Sequence, residues 1–273
     1  MHMLGMLTLL LALGGLSMSF ADQPSGRGEP APGNQEWNNA TRPAGFISKT
    51  IDVDGIGYKY VVYAPSEYHP QSRQKAWPTI MSLHGSGECG TDGLKQIAVG
   101  LGPSIMHDRD RWPFLVIFPQ KPDRSKQWED YDKVVMAMLD AEKKQYPIDP
   151  ERTYLTGLSQ GGHGTWTIGA NHPDVWAAIA PVCAYVKRNG TTSEVGDLVP
   201  KLSSLPVWAF HGAKDDVVLP AETTTMIDAL KAAKPAFEPK MTIYPDANHN
   251  SWDKAYAEPE LPSWFLSHAK AVR

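Results

Sequence analysis

The chain has 273 residues, with 26 Lys and Arg against 30 Asp and Glu, a formal net charge of −4. Its 42% apolar and 21% charged residues are the proportions of a folded globule, which excludes a disordered chain and a coiled coil. The slightly acidic balance argues against a general nucleic-acid binder. A chain of this length also buries about three-quarters of its unfolded surface without a disulfide or metal scaffold.

Residues 1–21 carry no charge, are apolar from about Leu4 to Leu16, and end Ser19-Phe20-Ala21, with small residues at the −3 and −1 positions of a cleavage site. That is the pattern of a secretory signal peptide, although Lys and Arg are missing from its start. The apolar run is too short to span a membrane comfortably. A secreted or periplasmic protein with no membrane span after cleavage is therefore expected. Residues 22–43 are rich in Pro, Gly, Asn and Gln and read as a flexible lead-in. One domain, 44–273, follows.

Within it, residues 45–53 and 56–64 read as strands joined by the Asp54-Gly55 hairpin turn. Residues 77–83 and 113–118 are short apolar runs, ending at His84-Gly85 and Pro119-Gln120. Between 130 and 146, Val134, Val135, Met138, Leu139 and Glu142 recur about one turn apart, so a helix is predicted there, stopped by Pro147. Strands are predicted at 152–158, 176–183, 205–210 and 240–244, and helices at 160–171, 221–234 and 261–269. Strands alternating with helices imply a mostly parallel sheet of about eight strands covered on both faces. In such sheets, ligands bind beyond the carboxyl ends of the strands. Four of those ends are polar or Gly-rich: residues 84–87, 157–161, 211–215 and 246–249.

Gly157-Leu158-Ser159-Gln160-Gly161 has the form of a nucleophile elbow and lies between a predicted strand and a predicted helix. A serine hydroxyl is a weak nucleophile and needs a base from another loop. His249, after the last strand, is the expected base. His84 and His211 precede Gly at strand ends, where they position backbone, and His163 lies on the helix facing away from Ser159. The base needs a carboxylate to hold its tautomer. Asp215 is the expected partner, with Asp216 solvated and Asp246 an outside candidate close to His249 in sequence. An oxyanion needs preorganised N–H donors; Gln160 is expected to supply one, and Ser86 the second, with Gly85 as its alternative.

These motifs together resemble secreted α/β-hydrolases over roughly residues 58–268, and most nearly the dienelactone-hydrolase-like and polyhydroxybutyrate-depolymerase-like esterases, including bacterial proteins labelled predicted peptidases. The resemblance is carried by His84-Gly85-Ser86-Gly87-Glu88, Gly157 to Gly162, His211-Gly212-Ala213-Lys214-Asp215 and His249-Asn250-Ser251-Trp252-Asp253. It implies the α/β-hydrolase fold and a Ser159-Asp215-His249 triad. The implied activity is hydrolysis of acetyl, feruloyl or other small acyl esters, free or linked to polysaccharide, through an acyl-enzyme. Relatives commonly carry Arg where this chain has Cys89. Cys89 and Cys183 are either a disulfide pinning the oxyanion loop or two free thiols.

Trp128 is read either as lining a substrate pocket or as a capping core residue, and Trp252 as a wall on the base side. The twenty or so residues between Cys183 and Leu205 leave no room for a large lid. No cofactor or metal is expected, because His-Glu-x-x-His and paired Cys-x-x-Cys motifs are missing. Sequons at Asn39 and Asn189 matter only in a eukaryotic secretory route. A serine peptidase on the same triad and a non-catalytic binding module are the competing readings; oligomeric state is open.

Overall fold

Strand pairing in the computed structural model follows the order β1-β2-β4-β3-β5-β6-β7-β8, with β1 Gly45–Val53, β2 Ile56–Ala64, β3 Trp77–Leu83, β4 Leu115–Pro119, β5 Ile148–Leu158, β6 Ala178–Val182, β7 Trp208–Gly212 and β8 Lys240–Tyr244. The structure describes residues 44–66, 76–187 and 194–270; the expected signal peptide, the lead-in and both sequons lie outside them. The β1–β2 and β2–β4 pairs are antiparallel and every other pair is parallel. Strand order reverses at β3, which has β4 on one side and β5 on the other. A crevice forms at such a reversal, beyond the carboxyl ends of the strands.

The helices are α1 Leu101–His107, α2 Asp132–Gln145, α3 Gln160–Asn171, α4 Val195–Leu202, α5 Pro220–Ala232, α6 Trp252–Ala257 and α7 Leu261–Leu266. Side chains alternate between the two faces along each strand. Tyr60, Val62 and Ala64 of β2 join one apolar cluster with Val135 and Met138 of α2, Trp166 of α3, Leu202 of α4 and Met226 of α5. Val61 and Tyr63 join the other, with Leu101 and Ile105 of α1, Tyr256 of α6 and Phe265 of α7. Both sheet faces are buried, which is why the strands read as continuous apolar runs rather than as alternating ones.

Sequence expectation and structure differ at the short and Pro-containing elements. α1, α4 and α6 are six to eight residues long and were not predicted; Pro103 and Pro200 fall inside the first two and weaken the helical signal. β7 starts at Trp208 rather than Leu205, since Pro206 has no N–H to give to a ladder. α4 occupies part of the stretch between Cys183 and Leu205.

Eleven of the twelve residues of α3 are buried. It sits against the ends of β3, β5 and β6 so closely that Gly161 and Gly162 in its first turn have no room for a side chain. A Cβ on Gly161 would lie 2.1 Å from the Leu83 carbonyl oxygen and 2.6 Å from that of His84; one on Gly162 would lie 2.5 Å from the Val182 oxygen. On the outer side, a Cβ on Gly164 would come within 2.5 Å of Trp128 Cβ. The small-residue run after Ser159 is thus a packing requirement imposed by three strand ends and one indole.

The loop after β3 is held from beneath. The indole N–H of Trp128 donates to the His84 carbonyl at 3.0 Å, and the two rings meet edge to face with centroids 4.9 Å apart. His84 Nδ1–H donates to Gly85 O at 2.6 Å, while Nε2 accepts the Lys121 backbone N–H at 3.1 Å. Both ring nitrogens are therefore used in the neutral form. A second proton on Nε2 would face an N–H, and burial lowers the His84 pKa from 6.5 to about 4.

Two measurements follow from this packing. Gly161→Ala is expected to cost about 3 kcal/mol or more in denaturant unfolding, because the obstacle is backbone. Gly196→Ala in α4, where a Cβ meets nothing within 4 Å, is expected to raise stability by about 0.5–1 kcal/mol. As for pH, the unfolded chain takes up a proton at position 84 below pH 6.5 that the folded chain refuses until about pH 4. Stability from this group is complete above that window and falls through it, by roughly 3 kcal/mol at the bottom. Unfolding midpoints measured between pH 7 and 4.5 should fall less steeply for His84→Gln than for the wild type; equal slopes would remove His84 as the cause.

Candidate active site

β5 runs into α3 through Ser159, whose backbone has φ 54° and ψ −114°. A non-glycine residue in this region is strained by contact of its Cβ with neighbouring backbone. Ser159 N–H donates to Val182 O at 2.9 Å and its carbonyl accepts His163 N–H at 3.0 Å, so strand and helix share the residue and hold the strain in place. The side chain is turned toward the loop that follows β8. There His249 Nε2 lies 2.9 Å from Ser159 Oγ, and its Nδ1 lies 2.8 Å from Asp215 Oδ2. Since a carboxylate only accepts, the proton sits on Nδ1, which leaves the Nε2 lone pair for the serine hydroxyl.

Asp215 is only 3% exposed. Its Oδ1 accepts the N–H groups of Val217 at 2.9 Å and Val218 at 2.8 Å, which a tight turn after β7 aims at it. Asp216 points to solvent, and Asp246 lies by Lys214 on the surface, 3.4 Å from its Nζ. The loops after β7 and β8 touch directly. Lys214 N–H donates to Ala247 O at 2.9 Å, and a Cβ on Gly212 would be 2.3 Å from the Asn248 oxygen. Trp252 stands edge to face against the His249 ring at 5.4 Å.

Gln160 is the first residue of α3, where a backbone N–H has no acceptor inside the helix. Its side chain reaches outward, donating to Lys126 O at 3.0 Å, and so ties residues 124–127 to the elbow. Ser86 opens a short 3-10 turn, Ser86–Glu88, and is half-buried at the neighbouring strand end. His163, as expected, faces elsewhere: it stacks on Tyr185 and its Nε2 lies 3.0 Å from Glu129.

Trp128 is 1% exposed and its indole supports the loop after β3 from below, the position of a core residue. Cys89 and Cys183 are both free thiols. Cys183 is fully buried, which pushes its thiol up and keeps it protonated at neutral pH. Its sulfur, Asp215 and His249 offer donor atoms within 4.8 Å of one another. Of these three, Asp215 and His249 are already hydrogen-bonded to each other.

Gln120 and Lys121 went unrecognised in the sequence. Gln120 Oε1 accepts Gly93 N–H at 2.6 Å, and its amide donates to Glu88 O and Asp92 Oδ1. Lys121 is 1% exposed, and its ammonium donates to the carbonyls of Asp123 and Lys126 at 2.8 Å and lies 3.3 Å from Cys89 Sγ. Together they clamp the segment that contains Ser86. The signal was available: this polar pair ends β4 at the same edge of the sheet as the four loops already singled out.

The family model of the prolyl oligopeptidase family matches residues 191–271, which include Asp215 and His249 but not Ser159. Over 175 residues the chain is 27% identical to a bifunctional acetylxylan esterase/xylanase, XynS20E, of Neocallimastix patriciarum, covering 60% of this chain and 22% of that protein. It is 30% identical over 121 residues to poly(3-hydroxyalkanoate) depolymerase C of Paucimonas lemoignei, covering 34% and 28% of the two chains. The chain thus spans about a quarter of the length of these relatives. Among solved structures, a thermostable esterase superposes with a TM-score of 0.70 at 25% identity, covering 82% of this chain and 63% of that one. The chain has the α/β-hydrolase fold, and it resembles esterases of that fold in sequence as well as in structure.

Proposed function

We propose that the chain is a serine carboxylesterase in which Ser159 is the nucleophile, His249 the general base and acid, and Asp215 the group that orients the base. The observation that carries this reading is the continuous line Asp215 Oδ2, His249 Nδ1, His249 Nε2, Ser159 Oγ, with separations of 2.8 and 2.9 Å. His249 Nε2 takes the hydroxyl proton as Oγ attacks the ester carbonyl. The buried Asp215 carboxylate stabilises the imidazolium that forms. The oxyanion that develops is met by the Gln160 N–H and by a second N–H from the loop after β3, Ser86 or Gly85. The imidazolium then protonates the leaving alcohol, leaving an acyl group on Ser159. Water, deprotonated by the same His249, releases it.

The substrate class inferred is small acyl esters, acetyl or feruloyl, free or attached to polysaccharide. Support comes from the acetylxylan esterase likeness and from the half-exposed Trp252 beside the base. Export belongs to the same reading: residues 1–21 would be removed, and among the described residues no helix is long and apolar enough to cross a membrane. Amino-terminal sequencing of protein recovered outside the cytoplasm should begin at Asp22.

The test is hydrolysis of p-nitrophenyl acetate, with p-nitroanilide substrates alongside because the prolyl oligopeptidase match includes Asp215 and His249. Ester turnover should vanish in Ser159→Ala, along with labelling by a fluorophosphonate. It should fall about 10,000-fold in Asp215→Asn and stay within about twofold of wild type in Asp216→Asn. Turnover that survives Ser159→Ala, in protein folded by circular dichroism, would sink the proposal. Faster cleavage of anilide than of ester would replace it with a peptidase.

A further inference from the structure

Asp215 has a close polar contact that leads away from the nucleophile. Its Oδ2, which meets His249, also lies 3.1 Å from Nε2 of His211, and neither His211 nor Asp215 exposes any side-chain surface. His211 Nε2 is also 2.9 Å from Val218 O. A ring nitrogen that faces two acceptors must carry a hydrogen. On the far side of the ring, Nδ1 lies 2.8 Å from Oγ1 of Thr223 in α5, and that hydroxyl is 3.0 Å from Ala184 O. Thr223 has one proton and two neighbours able to accept it. Burial lowers the His211 pKa and favours the neutral ring, so the hydroxyl turns to Nδ1. Protons are then donated in one direction, from Thr223 to His211 and from His211 to Val218 O, and the positive end of that Nε2–H lies beside Asp215 Oδ2.

The Asp215 carboxylate receives three N–H donors, Val217 and Val218 on Oδ1 and His249 on Oδ2, while His211 Nε2, whose N–H meets Val218 O, stands 3.1 Å from the same Oδ2. The backbone pair fixes the plane of the carboxylate, and His211 acts on the same oxygen that holds the base. The titratable groups facing the two residues are His249 from the loop after β8 and Cys183 from the end of β6, a thiol that burial keeps protonated. Glu222 of α5 is turned to the Val186 N–H instead, at 3.4 Å.

We propose that His211 is a positioning residue that acts on His249 through Asp215, with Thr223 fixing the tautomer in which it does so. Its effect on turnover rests on the esterase reading; its effect on the titration of His249 does not. His211 holds Oδ2 where His249 Nδ1–H meets it and withdraws part of that oxygen's negative charge from the imidazolium. Without the donor, Oδ2 attracts the imidazolium more strongly and is less well placed.

Three variants of the full chain test this: His211→Leu, which has no donor, His211→Gln, whose amide N–H can replace Nε2–H, and Thr223→Val, which has no proton for Nδ1. Each is followed by kcat and KM on p-nitrophenyl acetate and by proton NMR titration of the His249 ring, which needs no turnover. In His211→Leu, kcat should fall about tenfold or more with KM within about twofold, and the His249 midpoint should rise by about half a pH unit or more. His211→Gln should recover most of both changes, and Thr223→Val should lie between. A His211→Leu protein with a lowered Tm but wild-type kcat and His249 midpoint would overturn the proposal, as would Gln performing no better than Leu. If His211→Leu does not fold, Thr223→Val decides, and wild-type values in both readouts overturn the proposal. A His249 shift in protein whose wild type shows no Ser159-dependent hydrolysis would uphold the coupling and remove the esterase reading.

Discussion

The molecule is organised around a contact that leaves no space for a methyl group. The last carbonyls of β3 press on Gly161 in the first turn of α3, and the Gly161 carbonyl in turn stands 2.3 Å from where a Gly157 Cβ would be. This brings the central strand, the elbow and the central helix within backbone distance of one another. It also forces the chain between β5 and α3 through the strained φ of Ser159. Strain of this kind costs on the order of 1–3 kcal/mol and persists only where surrounding structure over-determines it. Here the ladder bond to Val182 and the helix bond from His163 do so. The serine side chain is turned toward the loop after β8, where it meets His249, and the residue keeps only 8% of its surface exposed.

Around that contact, the loops are held by hydrogen bonds that need particular protonation states. His84 works only as a neutral ring, because one nitrogen donates and the other accepts. Asp215 works only as a carboxylate, since every group around it is a donor. Lys121 is a buried cation satisfied by two carbonyls and a thiol sulfur. Its cost of burial is offset by ordering the loop that carries Ser86, a division of labour in which one side chain gives up solvation so that several backbone groups gain a fixed position.

The strands were legible because both sheet faces are buried, so each central strand is an apolar run ended by a polar cluster. β1, β2, β3, α3 and β8 fall where the pattern places them, and the Asp54-Gly55 turn is where the hairpin reverses. The four loop clusters were legible for the same reason, and the structure brings Ser159, Asp215 and His249 together. What escaped was information carried by three-dimensional accounting. Trp128 reads as an aromatic at a strand end, and only Gly164 and the His84 carbonyl show that it is core. Gln120 and Lys121 look like an ordinary polar turn until the loop they clamp is in view. His211 was read as a backbone-positioning residue, but its partner Thr223 lies in a helix twelve residues on, beyond the reach of any local pattern.

The backbone contact between Gly212 and the Asn248 carbonyl has a consequence for remodelling the site. Asp215 and His249 are carried by one block, the ends of β7 and β8, while Ser159 and the loop after β3 are carried by another, β3, β5 and α3, within a single continuous sheet. The 2.9 Å gap between Ser159 Oγ and His249 Nε2 is the seam between these blocks. Loop grafts on the serine side, in residues 86–94 or 124–127, can therefore reshape the crevice without disturbing the alignment of Asp215 with His249. A graft that alters residues 213–218 or 246–249 moves Asp215 and His249 together and shows itself first at the seam.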